Sequence, residues 1–132
     1  MILSINIFYA GVIPRIHSHG NIRGLLDEFV RSGTECIDPI EPPPDGNITL
    51  AEVKKGWGDK LVLMGNIELR DLETSDPEHI RQLVKQAMDD AKEGGGFILY
   101  PCSVPLDAEL KPKTEENIIA MLDAGLEFGR YE

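Results

Sequence analysis

Four short apolar runs, each followed by residues in a helical pattern, constrain this chain more than any other feature. The runs are Val12–Ile16, Glu35–Ile40, Leu61–Met64 and Phe97–Tyr100. After the first, Ile22, Leu25, Leu26, Phe29 and Val30 fall at the spacing of one helical face, with Asn21 placed to cap its start and Gly33 to end it. After the second, Thr49-Leu50-Ala51-Glu52 is a capping box that opens a helix running to about Trp57. After the third, which the spacing ends at Gly65-Asn66, Asp76-Pro77 starts the longest helix. Its stripe is Ile80, Leu83, Val84, Ala87, Met88 and Ala91, and Gly94–Gly96 stops it. After the fourth, Thr114 is placed to cap a helix that turns Ile118, Ile119, Leu122 and Leu126 inward. Strand–helix alternation of this kind builds a parallel sheet with crossover helices. The expectation is one α/β domain over residues 1–132 with four βα units, either half of a TIM (β/α)8 barrel or a small open doubly wound sheet.

In both architectures ligands bind where the strands end, and there the chain places its reactive groups. His17 and His19 close the first run; two residues apart in extended chain, they share a face. Asp38 and Glu41 lie at the end of the second, Asn66 and Glu68 at the end of the third, and Cys102 at the end of the fourth. Two imidazoles and a thiolate can hold zinc and leave a fourth position open, where a thiol substrate would be bound as its thiolate. On spacing alone the packing reading leads, because His-x-His is common and cysteine is often a small core residue. Carboxylates at the strand ends can orient ligating imidazoles or touch substrate. For Glu68 a solvated loop acid is the simpler reading, whereas Asp38, inside an apolar strand, needs a partner if buried. Asn66 reads as turn chemistry or as an amide aimed into the site. Cys36, Trp57 and the methionines read as packing, and His79 as surface. The Gly94–Gly96 run precedes a strand, so it is no phosphate cradle.

Charge and cysteine content narrow the class. A net charge of −10, with no basic cluster beyond Lys54-Lys55, disfavours a nucleic-acid partner. Two cysteines make no secreted disulfide framework, which points to a reduced, cytoplasmic protein. The apolar Met1–Ile13 stretch has no basic start and contains Ser4 and Asn6, so it reads as buried helix or strand rather than as a targeting segment. It is too short to span a bilayer.

The phrases IHSHGNIRGLL, IDPIEPPPDGNITLAEVKKGWGDKLVLMGNIE and GGGFILYPCSVP, with TEENIIAMLDAGLEFGRY after them, resemble the carboxyl-terminal half of the uroporphyrinogen decarboxylase superfamily. The resemblance runs from Gly11 to Tyr131 and implies strands five to eight of a (β/α)8 barrel. The superfamily includes corrinoid-dependent methyltransferases acting on thiols such as coenzyme M. In that branch a His-x-Cys in the first phrase and a Cys in the last bind zinc. His17 matches the first ligand and Cys102 the third, while His19 stands where cysteine is usual. The implied donor set is therefore two nitrogens and one sulfur.

The resemblance thus implies zinc-dependent methyl transfer to a small-molecule thiol, with a corrinoid or a corrinoid protein as methyl donor. The alternatives are a decarboxylase of porphyrin biosynthesis and a non-catalytic truncated half-barrel. The decarboxylase branch carries a histidine in its last phrase, near Cys102-Ser103, and this sequence has none there. No residue is assigned a catalytic role beyond these ligands. A half-barrel leaves two strand edges open, which predicts a homo-oligomer or a separate amino-terminal half.

Overall fold

The computed structural model describes residues 11–106 and 109–131. Four parallel strands, β1 (Arg15–His17), β2 (Cys36–Ile40), β3 (Val62–Ile67) and β4 (Phe97–Pro101), form one sheet in the order β1-β2-β3-β4. The helices are α1 (Leu26–Arg31), α2 (Leu50–Trp57), α3 (Leu69–Thr74), α4 (Pro77–Ala91) and α5 (Pro112–Phe128). Strands that neighbour each other in sequence order, with no switch point, put every right-handed crossover on the same face of the sheet. This is the arrangement of a partial TIM barrel and not of a doubly wound sheet.

The helical face carries the core. Ile22, Leu26, Ile37, Ile40, Leu50, Val53 and Leu63 pack together under α1 and α2. Ile67, Leu72, Ile80, Val84 and Met121 pack under α3, α4 and α5. Each of the fully buried leucines, isoleucines and valines among them is worth about 1.5–3 kcal/mol of transfer free energy. The capping box of α2 is complete: the Thr49 hydroxyl accepts from the Glu52 N–H, and the Glu52 carboxylate accepts from the Thr49 N–H at 2.9 Å. Trp57 packs on the core edge and donates its indole N–H to Asp27 at 2.8 Å. Cys36 and three of the methionines, Met64, Met88 and Met121, are buried, and His79 is exposed.

Several local expectations are corrected. The first helix begins only at Leu26, with Leu25 at its N-cap and no side-chain cap, so Asn21 plays no capping part. Ile22 is buried ahead of it in irregular chain. β3 runs on through Gly65-Asn66 to Ile67, and α3 follows at once, an element the apolar pattern did not announce. α5 starts at Pro112 after Lys111, and Thr114, instead of capping it, is buried inside its first turn. The inward face of α5 is Thr114, Asn117, Met121 and Ala124, whereas Ile119, Leu122 and Leu126 are exposed. The expectation for Met1–Ala10 lies outside the described residues, and Gly11–Ile13 are irregular and exposed. Among the described residues no helix is long and apolar enough to cross a membrane.

The centre of the sheet is drawn in where β2 meets β3. Pro39 has no N–H to give the ladder, and the β2–β3 register shifts between Ile37 and Ile40. Opposite the shift stands Gly65 at φ 149°, where an added Cβ would lie 2.9 Å from the Ile40 carbonyl oxygen. Only glycine lets the two backbones approach this closely.

Candidate functional site

β1 and β2 bring the first cluster together through their register. His17 lies opposite Asp38, so the imidazole and the carboxylate leave the sheet on the same face. Asp38 is 4 % exposed, and its Oδ2 accepts from His17 Nδ1 at 3.1 Å. Arg15 Nη1 stands 3.9 Å from the same oxygen, and Asp38 Oδ1 has no partner. Beyond the strand, His19 Nδ1 meets Glu41 Oε1 at 2.6 Å, while Glu41 Oε2 accepts from the Gly20 N–H at 2.5 Å. The two rings meet edge-on with their Nε2 atoms 2.9 Å apart.

That geometry carries a chemical consequence. Each Nδ1 faces a carboxylate and so carries the ring proton, which leaves each Nε2 with a lone pair. Two lone pairs at 2.9 Å repel unless one proton is shared between them as a hydrogen bond, or the rings part by a few tenths of an ångström to take a cation. The arrangement carboxylate–imidazole–cation–imidazole–carboxylate is one a divalent metal satisfies. Both imidazoles remain open to an incoming group, with side-chain exposures of 60 % and 46 %.

Cys102 follows β4 and lines the same cavity as the two histidines, together with Arg15, Asp38, Tyr100, Ser103 and Val104; its volume is about 280 Å³. The thiol lies deep, 2 % exposed, and points toward the Ile40 carbonyl oxygen at 3.8 Å and the Glu68 carboxylate. Burial, with Glu68 beside it, pushes the Cys102 thiol well above its ordinary pKa, so without a cation it stays protonated. Burial likewise raises the Glu68 carboxyl, against the thiol hydrogen bond that lowers it. Among the described residues no three His, Cys, Asp or Glu side chains already surround one point as metal ligands would.

The structure places His17, His19, Asp38 and Cys102 around one cavity, with Glu41 reaching it through His19. Two assignments change. Glu68 is not a solvated loop acid: it is 9 % exposed, lies beside the Cys102 thiol, and its Oε1 lacks a partner. Asn66 does not join the cluster; it lines a separate cavity of about 180 Å³ with Pro42, Pro43, Thr49 and Leu83. Arg15 was not singled out as a site residue. Its position two residues before His17 was the available signal, since that parity places it on the same strand face.

The family model described as uroporphyrinogen decarboxylase (URO-D) matches residues 5–126. The chain belongs to the uroporphyrinogen decarboxylase family. Among solved structures, a methyltransferase from Methanosarcina mazei superposes with a TM-score of 0.71 over 97 % of this chain, at 22 % sequence identity. The chain spans 35 % of the length of that protein. No curated protein matches the chain. Within the family fold, the paired imidazoles and Cys102 occupy the carboxyl ends of β1 and β4, the end of the sheet at which such folds place their chemistry.

Proposed function

We propose that this member of the uroporphyrinogen decarboxylase family takes part in zinc-dependent methyl transfer to a small thiol. The observation that carries the reading is the pair of facing Nε2 atoms, 2.9 Å apart, each on a ring whose other nitrogen is held by a carboxylate. His17 and His19 would supply two nitrogen ligands and Cys102 the sulfur. Zinc bound there supplies Lewis acidity that lowers the pKa of a substrate thiol.

The chain's own residues divide the remaining work. Asp38 and Glu41 fix the tautomers and orientation of the rings. Cys102 would give up its proton on ligation, with the Glu68 carboxylate beside it. Arg15 and Tyr100 line the cavity in which the substrate would lie. In the transfer the thiolate sulfur forms the new bond to the methyl carbon. The methyl group leaves its donor without the bonding electron pair; a corrinoid is the donor class that retains both electrons stably. The methyltransferase superposition and the family match support this reading.

Decarboxylation of a porphyrinogen is the second reading and is favoured by the description of the family. It asks for cationic clamps on several carboxylates, and Arg15 is the one arginine among the described residues lining the cavity.

The test is elemental analysis of protein purified without added metal, followed by incubation with methylcobalamin and a small thiol. The expected result is one zinc per chain and a thioether formed as methylcobalamin is consumed. Both should be lost in Cys102→Ser. Zinc-free protein that binds none when it is supplied, or zinc-loaded protein that forms no thioether, sinks the reading.

A further inference from the structure

Arg15 is unlike the other groups around the cavity. It stands two residues before His17 on β1, and that parity turns it to the same face of the sheet. Its side chain does not run straight out into solvent. It crosses β2 and brings Nη1 to 3.8 Å from the Met64 sulfur of β3. On the way the guanidinium passes Asp38 Oδ2 at 3.9 Å, too far for a hydrogen bond, and that oxygen already accepts from His17. Neither contact is a charge-assisted hydrogen bond, so the fork keeps its donors, and the side chain is 54 % exposed. Residues of β1, β2 and β3 fix this placement by themselves.

The rest of the wall is neutral or has its charge turned away. Tyr100 and Ser103 offer uncharged hydroxyls, and Asp38 is buried with its Oδ2 behind His17. Glu41 is drawn to Nδ1 of His19 and to the Gly20 N–H. Among the described residues Arg15 is therefore the one permanent cation lining the space beside the two rings. An arginine laid across a sheet with its fork unclaimed is a receptor for an oxyanion.

The structure assigns Arg15 as the residue that selects the substrate: a short thiol carrying a carboxylate, its sulfur at the histidine pair and its carboxylate on the guanidinium. The assignment rests on the thiol reading proposed above. A carboxylate presents two oxygens in one plane and matches the planar fork. A sulfonate carries a third oxygen and spreads its charge over all three, so each accepts more weakly. Among the described residues the cavity has no second cation to offer it. A volume of about 280 Å³ suits a short chain between the two ends. Arg15 is no metal ligand in this arrangement, so it sets which thiol is held and not whether zinc is.

The experiment is calorimetric titration of the zinc-loaded full chain with mercaptopropionate, mercaptoethanesulfonate and mercaptoethanol, in the wild type, Arg15→Gln and Arg15→Lys. Comparing each thiol between proteins cancels the differences in the thiols' own acidity. Arg15→Gln should weaken mercaptopropionate about tenfold or more, mercaptoethanesulfonate less, and mercaptoethanol by no more than about twofold, with zinc content unchanged. Arg15→Lys keeps the charge and loses the fork, so its mercaptopropionate affinity should fall between the other two proteins. An unchanged mercaptopropionate affinity in Arg15→Gln overturns the proposal, and so does a loss shared equally by all three thiols. A larger loss for the sulfonate overturns the choice of carboxylate. Each of these results leaves zinc and thiol binding standing. A zinc-loaded protein that binds no thiol at all instead removes the underlying reading, and this assignment with it.

Discussion

Replacing Asp38 by asparagine probes the histidine pair with the least disturbance of shape. The carboxylate is buried and accepts from His17 Nδ1 at 3.1 Å, while its other oxygen has no partner. Asparagine keeps an oxygen that can accept the same proton but removes the charge. A hydrogen bond to a charged group is worth about 1.5–3 kcal/mol and a neutral one about 1 kcal/mol. The difference, about 0.5–2 kcal/mol, centres on roughly tenfold in affinity, the lower end of what carboxylates behind ligating histidines contribute. Asp38→Asn should therefore bind zinc about tenfold more weakly in competition with a chromophoric chelator. Metal-free stability should change by no more than about 1 kcal/mol, because the ion pair it breaks, with Arg15 at 3.9 Å, is long and its arginine half exposed. Glu41→Gln should do the same through His19. Equal zinc affinity in the wild type and both variants would refute the role assigned to these carboxylates.

Three further outcomes test the scaffold. Asn117→Leu removes buried donations to the carbonyls of Leu72 and Ser75, at 2.9 and 2.8 Å, and should destabilise the fold by about 2–3 kcal/mol in denaturant titrations. Gly65→Ala drives a Cβ to 2.9 Å from the Ile40 carbonyl oxygen and should cost about 2 kcal/mol or more, read as a lowered Tm. Glu52 is held down to about 2 by the Thr49 N–H, then by Arg23 and the Thr49 hydroxyl. Since its folded pKa is depressed, its contribution is complete above the ordinary value of 4.5 and fades as pH falls from there toward 2. Glu52→Gln should remove that part of the acid limb of the stability profile.

The parallel half-barrel was legible because each strand is an apolar run of strand length and each crossover helix, α1 apart, has a clear stripe or cap. Thr49 through Glu52 and Asp76-Pro77 are local signals, and they placed α2 and α4 closely. Periodicity fails where a helix is apolar on two sides. In α5 the leucines and isoleucine form the more hydrophobic stripe, yet Thr114, Asn117, Met121 and Ala124 face the core, because the helix packs on α4 and α3, where Asn117 donates to the Leu72 and Ser75 carbonyls. α3 is one and a half turns with only Leu69 and Leu72 as apolar anchors, too little for a periodic signal. The His17–Asp38 partnership was foreshadowed by strand-end placement and became specific only with register. The burial of Glu68 against Cys102 depends on how two strand ends meet, which spacing along the chain does not encode.

Zinc-edge X-ray absorption on protein purified without added metal tests the central claim most directly. The expected spectrum shows a shell of two nitrogens at about 2.0–2.1 Å and one sulfur at about 2.3 Å, with a light atom or thiol completing it. Loss of the sulfur in Cys102→Ser and of a nitrogen in His19→Ala should follow. A spectrum of oxygen ligands alone, or one that both substitutions leave unchanged, contradicts it.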